Sequence, residues 1–368
     1  MFGLGEFALV ILSASLLAGA SRLIYRILRK DPLAQFDLPL GQLVTFDDPA
    51  MQRESDAAIE VLNQRFKSSP VSSGKLSVKQ RIPLMRDAME TFFSASEKLC
   101  VSSFIPVDAG GVPAEWVVAP GVDAGNNRRL MYIHGGAFFA GSPKTHRVIT
   151  SKLSEISNCS VLAIDYRLMP EYTRLNAVED CRIAYDWMML NGAQGAGEAS
   201  SVLMAGDSAG GNLTLVLLAW LRDTGRRPPN AALALSPVTD CRFASPSIYD
   251  NLTSDIMLKP LAARITRLPR FVIGLSARHL ARHNPSDPVI SPLLGDLSNL
   301  APTLVLASDA EILRDDGRRY ANKAVAAGSD VQFKYWKGMP HVWPMFHREL
   351  PEAMQALEHI EAFFNGHS

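Results

Sequence analysis

Gly206-Asp207-Ser208-Ala209-Gly210 carries the pattern G-x-S-x-G where an apolar run, 202–205, meets a helical pattern, 210–224. A serine in a tight strand-to-helix turn has a strained backbone that lifts its Oγ clear of a sheet, and only small neighbours such as Gly206 and Gly210 permit that turn. Ser208 would also stand at a helix N-terminus, whose free N–H groups and dipole favour negative charge. This is the setting of a nucleophile that attacks a carbonyl. Upstream, His134-Gly135-Gly136-Ala137-Phe138 follows a second apolar run, 130–133. Glycines without Cβ let backbone N–H groups approach a ligand oxygen closely, so Gly135, Gly136 and Ala209 are the expected donors to the oxyanion of a tetrahedral intermediate. A base must take the serine proton. Of the eight histidines, His341 is the best placed, in Lys337-Gly338-Met339-Pro340-His341 just after the last apolar run. Loops at the carboxyl ends of strands line the crevice of an α/β sheet. His134 reads as a prop of the glycine loop. His146, His347, His359 and His367 fall in or beside helical patterns, and His279 and His283 in a segment of different character.

These motifs need a scaffold. Candidate strands run over 100–105, 115–118, 130–133, 161–165, 202–205, 232–235, 303–306 and 331–335, several as unbroken apolar stretches that suit parallel strands buried on both faces. Helical spacing marks 145–157, 177–191, 210–224, 315–327 and 352–364 between them, after an earlier pattern at 78–93. Strand then helix, repeated, predicts a mostly parallel eight-stranded α/β sheet with helices on both faces. Residues 31–75, punctuated by Pro32, Pro39, Pro49 and Pro70, and residues 240–284, rich in Arg, Leu and His, break the alternation and are expected to form a lid. The expected organisation is an N-terminal segment and cap over 1–94, a catalytic core over 95–239 and 285–368, and a cap insertion over 240–284.

Composition narrows the function classes. The 37 Lys+Arg balance 37 Asp+Glu, so no overall basic field favours nucleic acid as a partner. Cys100, Cys159, Cys181 and Cys241 stand far apart with no CxxC pair, which indicates neither a metal site nor a disulfide framework; they read as buried thiols. Residues 7–20 form a charge-free run of fourteen, followed by Arg22, Arg26, Arg29 and Lys30. At ~1.5 Å per residue a helix of that length covers about 21 Å, short of the ~30 Å hydrocarbon core unless arginine stems snorkel. The run reads either as a membrane anchor or as an amphipathic helix that covers the site entrance or a partner subunit. Secretion is disfavoured because Glu6, and no cation, precedes the run. An anchor followed by arginines would leave the catalytic domain in the cytoplasm. The expected location is therefore cytoplasmic or on the cytoplasmic side of a membrane, with membrane association through residues 1–30 and a homodimer both left open.

HGGAF, GDSAGG, the segment Asp165-Tyr166-Arg167-Leu168-Met169-Pro170-Glu171 and the terminal Met339-Pro340-His341 resemble, in order, the hormone-sensitive-lipase-like esterases, the bacterial family IV carboxylesterases. The resemblance implies an α/β-hydrolase core with a helical cap and hydrolysis of carboxylic esters without cofactor or metal. It also implies Ser208 as nucleophile, His341 as base and the N–H groups of Gly135, Gly136 and Ala209 as oxyanion hole. Against the family pattern acid-x-Leu-x-Asp, Glu311-Ile312-Leu313-Arg314-Asp315 puts Glu311 where an aspartate is usual. A glutamate can orient the histidine and balance its charge on this fold. Asp309 and Asp315 are the rival carboxylates. After Glu171, Tyr172-Thr173-Arg174-Leu175-Asn176-Ala177 replaces a stretch that resembles HPFPAA in relatives. Phe138, Phe139, Trp343 and Met345, near the motifs without clustered charge, favour apolar or aromatic small-molecule esters, and the resemblance of the cap implies short or medium acyl chains. An arylacetamide-deacetylase-like hydrolase shares these motifs. A non-catalytic receptor on the same fold would lack the base, and His341 is present.

Overall fold

The computed structural model describes residues 31–45, 48–68 and 78–367. Unbroken apolar stretches can be buried only where neighbouring strands take their backbone groups and helices cover both faces. That is what forms: one sheet of β1 (Gln42–Val44), β2 (Ser103–Asp108), β3 (Pro113–Val118), β4 (Arg128–Ile133), β5 (Ser160–Ile164), β6 (Ser201–Asp207), β7 (Ala231–Leu235), β8 (Thr303–Ser308) and β9 (Val331–Trp336). Their spatial order is β1-β9-β8-β7-β6-β4-β5-β3-β2. All neighbours are parallel except β3 against β5 and β2 against β3. The strands β2 to β9 are the eight expected ones. The ninth, β1, lies parallel to β9 with Gln42 opposite Lys334. Its three residues are too few to show a period, and they add an edge strand from the N-terminal segment to the core sheet.

Side chains alternate between the two faces along each strand. On β4, Met131 and Ile133 join one buried cluster while Leu130 and Tyr132 join the other. The first face is covered by α4 (Arg174–Met188), α5 (Ala209–Asp223) and α9 (Arg314–Ala326), the second by α3 (Arg147–Ser157) and α10 (Pro351–Asn365). Trp343 and Met345, expected beside the substrate, belong to the second cluster at 0% and 3% exposure and offer a ligand no surface. None of the four cysteines forms a disulfide among the described residues; Cys159 and Cys181 are buried, whereas Cys100 and Cys241 are half-buried.

The regions expected to form the lid are helical: α1 (Pro49–Ser68) and α2 (Val78–Glu97) before the core, then α6 (Ser247–Asp250), α7 (Lys259–Ile265) and α8 (Arg270–Ala281) within the insertion. Both are tied to loops at the carboxyl ends of strands. From α2, Arg86 Nε donates to Phe139 O at 2.8 Å, and its Nη2 pairs with Glu171 at 2.8 Å. In the insertion, Asn251 Nδ2 donates to Asp309 O and Glu311 O at 2.7 and 2.8 Å, and Asp255 Oδ2 accepts from Ile312 N at 2.9 Å. Among the described residues no helix is long and apolar enough to cross a membrane. The charge-free run 7–20 and the arginines after it lie outside the described residues.

Candidate active site

Strand β6 ends at Asp207 and α5 begins at Ala209, which leaves Ser208 alone to make the turn, with φ 52° and ψ −112°. The two glycines of the motif allow it for a steric reason. A Cβ on Gly210 would stand 1.9 Å from Ile133 O, and one on Gly206 would stand 2.5 Å from Gly210 O. Helix and sheet therefore touch backbone to backbone here, and Ser208 is half-buried at the top of the turn. Ala209 is the first residue of α5, so its N–H has no partner within the helix.

The base and acid candidates meet. His341 Nδ1 donates to Glu311 Oε2 at 2.6 Å, and both side chains are buried, at 2% and 0% exposure. The other carboxylate oxygen, Oε1, accepts from Ser236 Oγ at 3.0 Å and from the backbone N–H of Ser308 at 2.8 Å. Ser236 Oγ in turn accepts from Val342 N at 3.2 Å, so one hydroxyl braces both Glu311 and the residue after His341. Burial alone would lower the His341 pKa, but the hydrogen bond and charge of Glu311 reverse this and leave it above the ordinary 6.5. His341 Nε2 is buried with no hydrogen-bond partner among the described residues. It is the free end of the pair.

The rival carboxylates have other work. Asp309 Oδ1 accepts from Gly338 N at 2.6 Å, which pins the loop leading to His341. Asp315 accepts from Ser247 N at 3.0 Å and pairs with Arg314 and Arg318 at 2.9 and 3.0 Å. The bond to Ser247 staples the insertion to α9; neither Asp315 nor the buried Asp316 caps the helix as such residues often do.

The glycine loop differs from expectation in one donor. The N–H of Gly135 is already taken, donating to Asp207 Oδ1 at 2.8 Å, so it has nothing left for an oxyanion. The same oxygen accepts from Tyr132 Oη at 2.7 Å and lies 3.4 Å from His146 Nε2. Burial would raise the Asp207 carboxyl, yet His146 and the Tyr132 hydroxyl hold it below its ordinary 3.8. The chain then runs through three successive residues in the left-handed region: Gly136 at φ 115°, Ala137 at 55° and Phe138 at 66°. Among the described residues the N–H groups of Gly136 and Ala137 have no acceptor. His134 does serve as a prop: its Nδ1 donates to Gly135 O at 2.7 Å and its ring stacks on Tyr166 at 4.3 Å. Burial, with His146 beside it, pushes its pKa down to about 3, so it stays neutral.

Three contributors carry no sequence signal strong enough to single them out. Asp207 occupies a variable position of G-x-S-x-G; Ser236 is a lone serine just past β7, although the end of a parallel strand is where such a residue would be sought. Arg174 opens α4 behind Thr173, whose Oγ1 accepts from Asn176 N at 3.4 Å in a capping box. Its guanidinium lies 3.5 Å from the centroid of the Phe138 ring, and its Nη2 donates to Asn212 Oδ1 at 2.6 Å.

A model of the alpha/beta hydrolase fold matches residues 130–345 of this chain. The acetyl-hydrolase of Streptomyces hygroscopicus is 36% identical over 257 residues, covering 70% of this chain and 81% of that protein. A solved esterase of the bacterial hormone-sensitive lipase family superposes with a TM-score of 0.70 at 32% identity, covering 86% of this chain and 98% of that one. The chain belongs to the hormone-sensitive-lipase-like esterases. An esterase of Acinetobacter venetianus is similar as well, 33% identical over 258 residues, 70% of this chain and 80% of that protein. This member of the family is a carboxylic ester hydrolase whose substrates are small-molecule esters.

Proposed function

We propose that this esterase works through an acyl-enzyme on Ser208, with His341 as base and Glu311 as the acid that orients it. His341 Nε2 takes the proton of Ser208 Oγ as the oxygen bonds to the ester carbonyl carbon. The carbonyl oxygen becomes an oxyanion held by the N–H groups of Gly136, Ala137 and Ala209, with Gly135 anchoring the loop through Asp207. The C–O bond to the alcohol then breaks, and the leaving oxygen takes the proton from His341 Nε2. Water, deprotonated by the same nitrogen, attacks the acyl-enzyme; collapse frees the carboxylic acid and returns the proton to Ser208.

The observation that carries this reading is the buried Glu311–His341 hydrogen bond at 2.6 Å, because it puts the imidazole proton on Nδ1 and leaves Nε2 free to accept. The aromatic side chains Phe138 and Phe139 beside the glycine loop favour apolar or aromatic esters, with one face of the Phe138 ring covered by the Arg174 guanidinium, and the cap favours short or medium acyl chains. The cap over this site comprises α1, α2 and the insertion 240–284. Ser208→Ala should lower turnover of a p-nitrophenyl ester by ~10⁴ or more and abolish labelling by a fluorophosphonate. Near-normal turnover by the folded variant would sink the assignment.

A further inference from the structure

The net charge of zero hides an asymmetry. Residues 256–286 contain Lys259, Arg264, Arg267, Arg270, Arg278 and Arg282 and no Asp or Glu, so the rest of the chain sets 37 − 6 = 31 basic residues against 37 acidic ones. This segment is α7, α8 and their flanks. The helices pin themselves down with Ala262, Ile273 and Ala281, all buried, and leave Leu261, Leu268 and Leu275 exposed at 46%, 45% and 64%. Leu275 shares one shallow, open depression with Arg278, His279 and Arg282. Some of the cations are engaged: Arg282 reaches Pro170 O at 3.3 Å, and His283 pairs with Asp287 at 2.7 Å. Among the described residues Lys259, Arg267 and Arg278 have no carboxylate partner and are exposed.

We infer that this cap face docks on a bilayer surface rich in anionic phospholipid. Unpaired cations interleaved with exposed leucines, on short helices lying over a protein, are the composition of an interfacial segment: the cations meet lipid phosphates and the leucines enter the acyl boundary. A nucleic acid would use the same charge but would gain nothing from leucines, which cannot stack on bases. Binding of an acidic protein to the same face is an outcome that the test below distinguishes. The inference rests on the proposed function in one respect: the insertion is bonded through Asn251 and Asp255 to the loop bearing Glu311, so docking would present the site to esters held in the membrane.

The test uses the full chain with vesicles of phosphatidylcholine, alone or with about a third phosphatidylglycerol. Wild type should sediment with the anionic vesicles, weakly with neutral ones, and less as salt is raised. Each surface cation is worth about five-fold in vesicle affinity, so Arg267→Gln/Arg278→Gln should bind about 25-fold more weakly. Leu275→Asn should weaken binding at unchanged charge. Turnover of a water-soluble p-nitrophenyl ester should stay at the wild-type value in all of them, which separates a failure of docking from a failure of the catalytic assignment. Wild-type vesicle binding by the variants would overturn the inference and assign any membrane affinity to another part of the chain. So would no binding by wild type, or equal binding of wild type to an RNA oligonucleotide or to polyaspartate with none to vesicles.

Discussion

Replacing Glu311 by glutamine keeps the volume, and three hydrogen bonds decide the outcome. Oε1 accepts from the Ser308 N–H, which can only donate, and from Ser236 Oγ. The amide oxygen of the variant must therefore take that place, which turns its NH₂ toward His341 Nδ1. A donor facing Nδ1 forces that nitrogen to accept, so the imidazole proton moves to Nε2, the tautomer that cannot take a proton from Ser208. The same change removes the carboxylate charge that stabilises the imidazolium. Together these should lower kcat by ~10³–10⁴, or about 4–5.5 kcal/mol of barrier, with KM changed far less. The pH profile supplies a second reading. The wild-type acid limb should lie above 6.5 because Glu311 outweighs burial at His341; without that carboxylate burial prevails and the limb should move to lower pH. The assay is kcat on one p-nitrophenyl ester from pH 5 to 9, with thermal unfolding to show that the variant is folded. Retention of kcat to within about ten-fold, with an unmoved acid limb, would refute the reasoning.

Asp207→Asn keeps the Gly135, Tyr132 and His146 contacts in shape but weakens them, and should cost about ten- to hundred-fold in kcat with little change in KM, measured on the same ester. Asp315→Asn breaks a staple to Ser247 and Arg318, so it should lower stability by ~1–3 kcal/mol in chemical denaturation while turnover stays within about ten-fold. Asp316 is buried against Asp240 and pushed up to about 7. A carboxyl raised in the folded state contributes stability below its unfolded value and loses it as pH rises through the folded one. Asp316→Asn should therefore gain stability relative to wild type between pH 5 and 8, on the order of 1–4 kcal/mol, and thermal unfolding across that range checks it.

How much of this was legible follows from what each feature depends on. The buried parallel strands were readable because burial on both faces forces an unbroken apolar run, as in Val202 to Ala205. Ser208 was readable because a turn this tight admits only glycine at 206 and 210. The sheet edge at β1 was not, since three residues paired by backbone atoms leave no pattern in side chains. At Gly135 the need for glycine is real, a Cβ standing 2.1 Å from Asp207 Oδ2, and in this structure it serves close approach of a carboxylate, which the motif alone does not announce. Trp343 and Met345 were near the motifs in sequence yet below the sheet in space.

The glycine loop must be held against its own preferences, because Ala137 and Phe138 sit at positive φ and each such residue costs of order 1 kcal/mol or more. Two buried groups of opposite charge hold its two ends. At Gly135 the Asp207 carboxylate ties the loop to the strand that leads into Ser208; at Phe138 the Arg174 guanidinium lies over the ring and ties it, through Asn212, to the helix that begins after Ser208. The anion takes three contacts on Oδ1, whereas among the described residues Arg174 Nε and Nη1 have no hydrogen-bond partner although the side chain is 1% exposed. A buried cation with two open donors is costly in isolation. It is tolerable here because the aromatic face supplies part of what a carboxylate would, and because a carboxylate at that place would set a second negative charge behind the oxyanion of the proposed mechanism. Thr173-Arg174-Leu175 thus sets the back wall of the glycine loop and, under the proposed mechanism, keeps its sign favourable to the reaction.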